Sequence, residues 1–131
     1  VQPTSSPTAA PTKMKWSLLD SIPGASEDGS FGFASVFAGE GTVFATSDPS
    51  FRNDTGLIRV FTYNNQTGWI QWGGDIMGDL EGDRWGTVLD ISNDGSTIVS
   101  STRDGNGYTR VYRMDGTQWI PLGPDLGTGT S

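Results

Sequence analysis

The sequence predicts an all-β fold made of two four-stranded antiparallel sheets, with an extra strand before the first. Glycine accounts for 19 of the 131 residues, and hydrophobic residues make up only 34% of the chain without forming a run at helical spacing. Turn signals such as Asn-Asp-Gly and Asp-Gly separate short segments rich in β-branched and aromatic residues, a pattern typical of strands joined by hairpins. A duplicated segment indicates that the pattern is used twice.

The duplicated segment is the clearest feature of the chain. Residues 56–78 recur about fifty positions later as residues 107–126, each copy carrying an Arg-Val-aromatic strand, a polar turn, a Trp, a Gly, an Asp and an aliphatic residue. The recurring positions are Arg59, Trp69 and Asp75 in the first copy and Arg110, Trp119 and Asp125 in the second. Trp16 marks a third, partial copy. A period of about 50 residues is typical of propeller repeats rather than short helical repeats.

Turn residues bound each predicted strand. The leading segment and the first copy are predicted to form strands at 16–22, 31–38, 42–47, 57–63 and 68–73, with a longer excursion at 48–55. The second copy is predicted to form strands at 85–92, 96–102, 108–114 and 118–122.

Both faces of the predicted strands carry apolar residues. Ile58 and Val60 point to one side of their strand, and Phe61 and Tyr63 point to the other. A sheet packed on both faces predicts this pattern, whereas a sheet exposed on one face would alternate cleanly. Four antiparallel strands per repeat, stacked in this way, predict two blades of a β-propeller.

Composition excludes several functions. The net charge is −7 with eight basic residues, which disfavours nucleic acid and acidic membrane surfaces as partners. The chain has no cysteine and no histidine, so disulfides, thiolate metal sites and catalysis by a Ser-His-Asp triad are ruled out. No apolar stretch is long enough to cross a bilayer.

The N-terminal segment is expected to lie outside the sheets. Residues 1–13 are rich in Pro, Thr and Ser and are predicted to be a linker or stalk, either O-glycosylated or an unmodified flexible terminus. The first repeat then covers 14–78 and the second 79–131. Because the chain opens at Val1 rather than Met, we expect a processed or partial chain. The candidate O-glycosylation sites are Thr4, Ser5, Ser6, Thr8 and Thr12.

Two Asn-x-Thr sequons begin at Asn53 and Asn65. Both fall in predicted loops, which we expect on one edge of the sheets. Such motifs accept N-linked glycans on exported proteins. Together with the Pro/Thr segment, they predict a secreted or cell-surface glycoprotein.

Several motifs resemble a known repeat family. Trp-x-x-x-Gly-x-Asp-(Ile/Leu), Gly-Asp-Arg-Trp-Gly at 82–86, Ile-Ser-x-Asp-Gly at 91–95 and Arg-Val-(Phe/Tyr) together resemble the FG-GAP-like or WD40-like propeller repeats of exported proteins in diatoms and other stramenopile algae. The resemblance covers about residues 14–128. The first copy departs from it by lacking Ser-x-Asp-Gly, and neither copy carries the calcium-binding loop of integrin-type repeats. The resemblance implies a propeller segment and no particular ligand.

The predicted count of sheets leaves faces uncovered. A closed propeller needs at least about four blades, and two blades alone would expose apolar faces. We therefore expect either a longer chain beyond Ser131 or assembly of identical chains into a ring or fibre. In both cases, the expected partners are other blades of the same or identical chains, or extracellular proteins and glycans.

The recurring side chains have a functional and a structural interpretation. Arg59 and Arg110 either recognise a carboxylate or sugar, or pair with an Asp or stack on the nearby Trp. Asp75 and Asp125 are expected to accept backbone amides in turns. Packing explains Trp16, Trp69 and Trp119.

Two further features concern ligands. Trp72 and Trp85 are candidate platforms for stacking a sugar, because these positions are Leu or Phe in the other copy. Calcium requires six or more oxygen ligands, and the candidate clusters are Asp48, Asn53 and Asp54, or Asp104 and Asn106. No catalytic residue and no cofactor are predicted.

These observations favour a non-catalytic extracellular propeller module with a structural or protein-interaction role in a cell-surface, matrix or appendage assembly. A glycan-binding, lectin-like propeller is the alternative. A weaker third hypothesis is an enzyme domain whose catalytic residues lie in further blades.

Overall fold

The structure is a computed structural model that describes residues 15–103 and 107–127. It contains two antiparallel β-sheets that follow one another along the chain. The first is built from β1 (Ser35–Ala38), β2 (Val43–Asp48), β3 (Leu57–Asn64), β4 (Gly68–Gln71) and β5 (Ile76–Met77). The second is built from β6 (Val88–Ile91), β7 (Thr97–Ser101), β8 (Thr109–Met114) and β9 (Trp119–Pro121). The predicted all-β class with two antiparallel sheets is confirmed.

Consecutive strands are neighbours in each sheet. The order is β1-β2-β3-β4 in the first sheet, where β5 also pairs with β3, and β6-β7-β8-β9 in the second. The other regular elements of the described chain are a 3-10 turn at Gly39–Gly41 and α1 (Phe51–Asp54). Neither has the length or the hydropathy needed to span a membrane.

The two sheets pair their strands in corresponding registers. Between the second and third strands, Val60 faces Ala45 in the first sheet and Val111 faces Val99 in the second. In both sheets, the residue that follows the fourth strand donates its backbone N–H to the carbonyl of that same valine, at 2.7 Å. Each residue of one sheet therefore has an identifiable counterpart in the other.

The outer strand of the first sheet is interrupted. β4 ends at Gln71, and the chain leaves the ladder until β5 pairs Ile76 with Ile58. A bridge between Thr109 and Leu126 holds the counterpart position in the second sheet. The prediction of a continuous strand over 68–73 was too long, because the chain leaves the ladder after Gln71 and Gly73 then turns with a φ of 79°.

The predicted N-terminal strand at 16–22 is not formed. Trp16 is 98% exposed, and the backbone in this segment has no strand partner among the described residues. One contact ties the segment down, in which the Asp20 carboxylate accepts the backbone N–H of Trp69 at 3.1 Å. A strand needs a neighbouring edge to satisfy its backbone groups, and no strand of the described residues pairs with this segment.

The two sheets pack against each other through unlike faces. The first sheet buries the face that carries Ala45 and Val60. The counterparts of these residues, Val99 and Val111, lie on the open face of the second sheet, which buries its other face, with Ile98 and Tyr112. Trp85 is fully buried and stacks on Tyr108 with ring centroids 5.7 Å apart. The buried residues of the sheets are Ala38, Val43, Ala45, Ile58, Val60 and Ile76 on one side and Leu89, Ile98, Tyr112, Met114 and Trp119 on the other.

Close backbone contact joins the sheets at Gly56. This residue pairs with Trp85 as an isolated parallel bridge and has a φ of 96°. A Cβ atom at Gly56 would lie 2.2 Å from the Trp85 carbonyl oxygen. Glycine is therefore required both for the backbone conformation and for the approach of the two segments.

Candidate functional site: two open sheet faces

The outward face of the first sheet carries five aromatic rings, Phe37, Phe44, Phe61, Tyr63 and Trp69, which we call the aromatic face. The ring centroids of Phe37 and Phe44 lie 5.0 Å apart, and those of Tyr63 and Trp69 lie 5.2 Å apart. Phe37 is 61% exposed. Alternation along β1 and β2 places these rings opposite the buried core face of the same sheet. Exposed apolar patches of this kind mark sites of interaction.

A cleft opens beside the aromatic face. It has a volume of about 300 Å³ and is lined by the rings of Phe37, Phe44 and Trp69 together with the polar side chains of Asp20 and Thr46. Hydrogen bonds from the backbone N–H groups of Trp69 and Ser21 hold the pKa of Asp20 below its ordinary value. Aromatic walls with a few polar groups are characteristic of small-ligand sites.

The outward face of the second sheet is aliphatic, and we call it the aliphatic face. Val99 and Val111 lie at its centre and are half-buried, whereas Val88 and Leu126 are 59% and 53% exposed. The counterpart of Leu126 is Ile76, which is only 4% exposed in the core between the sheets. The second sheet therefore leaves open the face that the first sheet buries.

The buried contact between the sheets shows how such faces fit together. The Trp119 ring packs over Gly73, where a Cβ atom would lie 2.7 Å from the ring. Its indole N–H donates to the Trp72 carbonyl oxygen at 2.9 Å. The Trp72 and Trp119 rings meet edge to face with centroids 5.5 Å apart. A tryptophan of one sheet is thus fitted over a glycine turn of the other.

Arg110 connects the second sheet to the segment that follows the first. Its guanidinium donates to both carboxylate oxygens of Asp125, at 2.5 and 2.6 Å, and to both oxygens of Asp79, at 3.2 and 3.0 Å. Its Cζ atom lies 4.5 Å from the centroid of the Tyr108 ring. The hydrogen bonds from Arg110 hold the pKa of Asp125 below its ordinary value.

Arg59 makes the corresponding ion pair in the first sheet with fewer partners. Its guanidinium donates to both oxygens of Asp75, at 2.7 and 3.0 Å, and these hydrogen bonds lower the pKa of Asp75. The Arg59 side chain is 24% exposed, against 11% for Arg110. Both aspartates accept guanidinium donors and not the backbone amides that we expected, so the arginines stabilise the sheets.

The two tryptophans predicted to stack a sugar lie in packed surroundings. Trp85 is fully buried and leaves no ring face open. Trp72 is half-buried and packs against the core at Trp119. Of the tryptophans that recur with the repeat, Trp119 is buried and Trp69 is half-buried on the aromatic face, whereas Trp16 is exposed. Packing therefore accounts for Trp119 and not for Trp16.

The two sequon asparagines are exposed and far apart. Asn65 lies in the turn between β3 and β4, whereas Asn53 lies in α1, before β3 begins. They flank opposite ends of an eight-residue strand, so the expectation that both lie on one edge was wrong. The side chain of Asn53 donates to Glu81 at 3.2 Å. The candidate O-glycosylation sites at residues 4–12 lie outside the described residues.

The candidate calcium ligands of the first copy have separate partners. Asp48 is buried, and its Oδ1 accepts hydrogen bonds from the backbone and hydroxyl groups of Ser30 and Ser50. Asp54 pairs with Arg84 at 3.3 Å. Within 15–103 and 107–127, no three acidic side chains converge on a common point. Asp104 and Asn106 lie outside the described residues.

The sequence predicted that apolar faces would stay uncovered, but it did not indicate which face of each sheet is open. The apolar residues on both sides of each strand are compatible with either face being buried. Comparison of the chain with protein-family models, curated proteins and solved structures found no match.

Proposed function

We propose that this chain is a non-catalytic extracellular β-propeller module that supplies an interaction surface in a cell-surface, matrix or appendage assembly. One observation carries the proposal: two sheets of corresponding register stack through unlike faces and leave one face of each kind open. Blades around a propeller axis stack in this way, each covering the next. The open faces are therefore contact surfaces for further blades.

The polar features of the chain support a structural role. The Arg59–Asp75 and Arg110–Asp125 pairs hold the outer segment of each sheet against its third strand. Both pairs are bidentate, which fixes geometry as well as adding energy. The same charges therefore stabilise the geometry of the two sheets.

An extracellular location is supported by the exposed sequon asparagines, Asn53 and Asn65, and by the Pro/Thr/Ser-rich segment at 1–13. If the chain passes through the secretory pathway, Asn53→Gln and Asn65→Gln should each lower its intact mass by one N-linked glycan. A secreted chain with the unmodified mass would remove this support.

Surface labelling tests the location and the structural role together. An antibody raised against the recombinant chain should label intact, unpermeabilised cells that express it, in a continuous layer or along an appendage. An antibody to a cytosolic protein serves as the control and should label only after permeabilisation. Labelling by the first antibody only after permeabilisation would refute the proposal.

Glycan binding is a second candidate function, favoured by the cleft beside Trp69. Phe37 and Trp69 offer ring faces, and Asp20 and Thr46 offer oxygen atoms to sugar hydroxyl groups. On a glycan array, a lectin should lose binding when Phe37→Ala is introduced and keep it with Val88→Ala, which changes the aliphatic face. Absence of any binding by the unmodified chain would leave the structural role as the sole proposal.

A further inference from the structure

We infer that a second copy of this chain docks its aliphatic face on the aromatic face of the first, repeating between copies the contact that joins the two sheets within one copy. This inference rests on the stacked arrangement of the proposed function and names its partner. A contact between unlike faces is heterologous, so each copy keeps one face of each kind free and the assembly can grow.

The tryptophan of the fourth strand has corresponding surroundings in the two sheets. Within the chain, Trp119 lies over Gly73, and its indole N–H reaches the Trp72 carbonyl oxygen. The counterpart of Trp119 is Trp69, which lies half-buried on the aromatic face. The counterpart of Gly73 is Gly123, and within 15–103 and 107–127 no atom lies within 4 Å of a Cβ atom built there. A second copy would bring its Gly123 beneath Trp69.

Three more pairs of corresponding glycines show the same contrast between a crowded and an open position. A Cβ atom at Gly86 would meet Ser47 at 2.8 Å, and one at Gly95 would meet Val43 at 3.0 Å, across the boundary between the sheets. A Cβ atom at Gly56 would meet Trp85 at 2.2 Å. The respective counterparts, Gly32, Gly41 and Gly107, have no atom of the described residues within 4 Å of that position. Positive φ explains why these residues are glycine, and the open space shows where a neighbour fits.

The aromatic and aliphatic faces also match the chemistry of the internal contact between the sheets. Phe44 on the aromatic face is the counterpart of Ile98, which is 1% exposed between the sheets. Val99 and Val111 on the aliphatic face are the counterparts of Ala45 and Val60, which are fully buried. Both open faces therefore retain apolar residues at the positions that are buried in the internal contact. Burial of these residues supplies the driving force for docking.

Two features make the contact between copies weaker than the internal one. Asp90 and Arg113 are exposed on the aliphatic face, where the first sheet has Val36 and Thr62. The segment that contains Asp20 and Ile22 also covers part of the aromatic face, since Asp20 accepts the Trp69 N–H and both residues line the cleft. Asp20 is the repeat counterpart of Gly73, so an incoming copy must displace this segment. We therefore expect reversible association.

Sedimentation equilibrium of the full chain tests the inference. The weight-average mass should rise above the monomer mass of 14.0 kDa as the loading concentration increases. Phe37→Arg on the aromatic face and Leu126→Arg on the aliphatic face should each remove most of this rise. Leu80→Arg, at a position 57% exposed in the connection between the sheets, is the matched control and should behave as the unmodified chain.

Mixing the two blocked variants gives the sharpest result. Phe37→Arg retains an aliphatic face and Leu126→Arg retains an aromatic face, so an equimolar mixture should form a dimer and nothing larger. Asp20→Ala, which frees the segment over the aromatic face, should raise the association constant of the unmodified chain severalfold. Circular dichroism and thermal melting establish that each variant is folded.

The inference is overturned if the chain is monomeric at every concentration, if either arginine variant assembles as the unmodified chain does, or if the mixture forms no dimer. These outcomes are independent of surface labelling. If the chain is found on the cell surface but is monomeric, the proposed extracellular role stands and the second copy is not its partner. If the chain assembles but is found only inside cells, the contact between copies stands and the extracellular role is refuted.

Discussion

The indole N–H of Trp119 donates to the backbone carbonyl of Trp72, 2.9 Å away across the boundary between the two sheets. This bond links the fourth strand of the second sheet to the point where the fourth strand of the first sheet leaves its ladder. The Trp119 ring is 8% exposed and belongs to the shared core. The Trp119 side chain thus both packs between the two sheets and supplies a hydrogen-bond donor to the backbone carbonyl of Trp72.

Trp119→Phe is expected to reduce the free energy of unfolding by about 1–3 kcal/mol, because the carbonyl of Trp72 loses its donor in a buried setting. Trp119→Ala should cost about 3–5 kcal/mol by also leaving a cavity. Urea denaturation monitored by circular dichroism measures both. Trp16→Phe is the control, because it changes a residue that is 98% exposed and should leave the urea midpoint unchanged. If Trp119→Phe and Trp16→Phe shift the midpoint equally, the hydrogen bond from Trp119 contributes nothing to stability.

Gly56→Ala should destabilise the chain by more than about 4 kcal/mol, in the range reserved for severe steric conflicts. The added Cβ would lie 2.2 Å from the Trp85 carbonyl oxygen. Neither atom can move away by a side-chain rotation, so the backbone itself would have to shift. Gly116→Ala is the matched control, because Gly116 also has a positive φ but has open space around it. That control should cost only about 1–2 kcal/mol for the unfavourable backbone conformation. Comparable losses in the two variants would contradict the close contact between the sheets.

Arg110→Met is expected to cost more stability than Arg59→Met. Arg110 serves two carboxylates and is 11% exposed, whereas Arg59 serves Asp75 and is 24% exposed. We expect about 1.5–3 kcal/mol for Arg110, since Asp125 and the half-exposed Asp79 both lose charge-assisted hydrogen bonds, and about 1 kcal/mol for Arg59. Thermal and urea unfolding of both variants measure the difference. Equal losses would show that the contact of Arg110 with Asp79 adds nothing.

Stability should fall as the pH is lowered from about 4 toward 2. The backbone and hydroxyl groups of Ser96, with the Ser92 hydroxyl, hold the pKa of Asp94 at about 2, and Asp75 and Asp125 also have lowered pKa values. Because the unfolded chain binds protons at higher pH, at about 3.9 for Asp, the stabilisation is complete above that value and is lost as the pH falls through the folded pKa. NMR titration gives the pKa of Asp94 directly.

A variant separates the contribution of Asp94 from that of the other aspartates. Asp94→Asn should reduce the dependence of unfolding free energy on pH between about 4 and 2. Asn93→Ala, at an exposed position in the same turn without a titratable group, is the control and should leave that dependence unchanged. A pKa for Asp94 near the unperturbed value would contradict the hydrogen bonds from Ser92 and Ser96.

Local patterns predicted the strands well because turn chemistry is local. Asn93-Asp94-Gly95 and Asp115-Gly116 identified hairpins that the structure contains, with strands within a few residues of the predicted bounds. The recurring arginines were expected to recognise a ligand, pair with an Asp or stack on a Trp, and the structure shows that both pair with an Asp. The partners Asp75 and Asp125 were not predicted, because those aspartates were expected to accept backbone amides.

Features that depend on distant neighbours were predicted less well. The strand expected at 16–22 has the right residues but no adjacent edge, so its backbone remains unpaired as strand. Trp85 stands where the first copy has Phe31, and that difference suggested a binding platform. The ring is instead enclosed by Tyr108 and Tyr112, which approach it from the second sheet.

By itself, the sequence determined the β class and the hairpins, since each depends on residues that are close together along the chain. Only the tertiary structure decided which face of each sheet is covered. The strands of this chain carry apolar side chains on both faces, and such a sequence is compatible with either face being buried. The contact of Trp119 with Gly73, and the open space at Gly123, exist only once two sheets have been placed against each other.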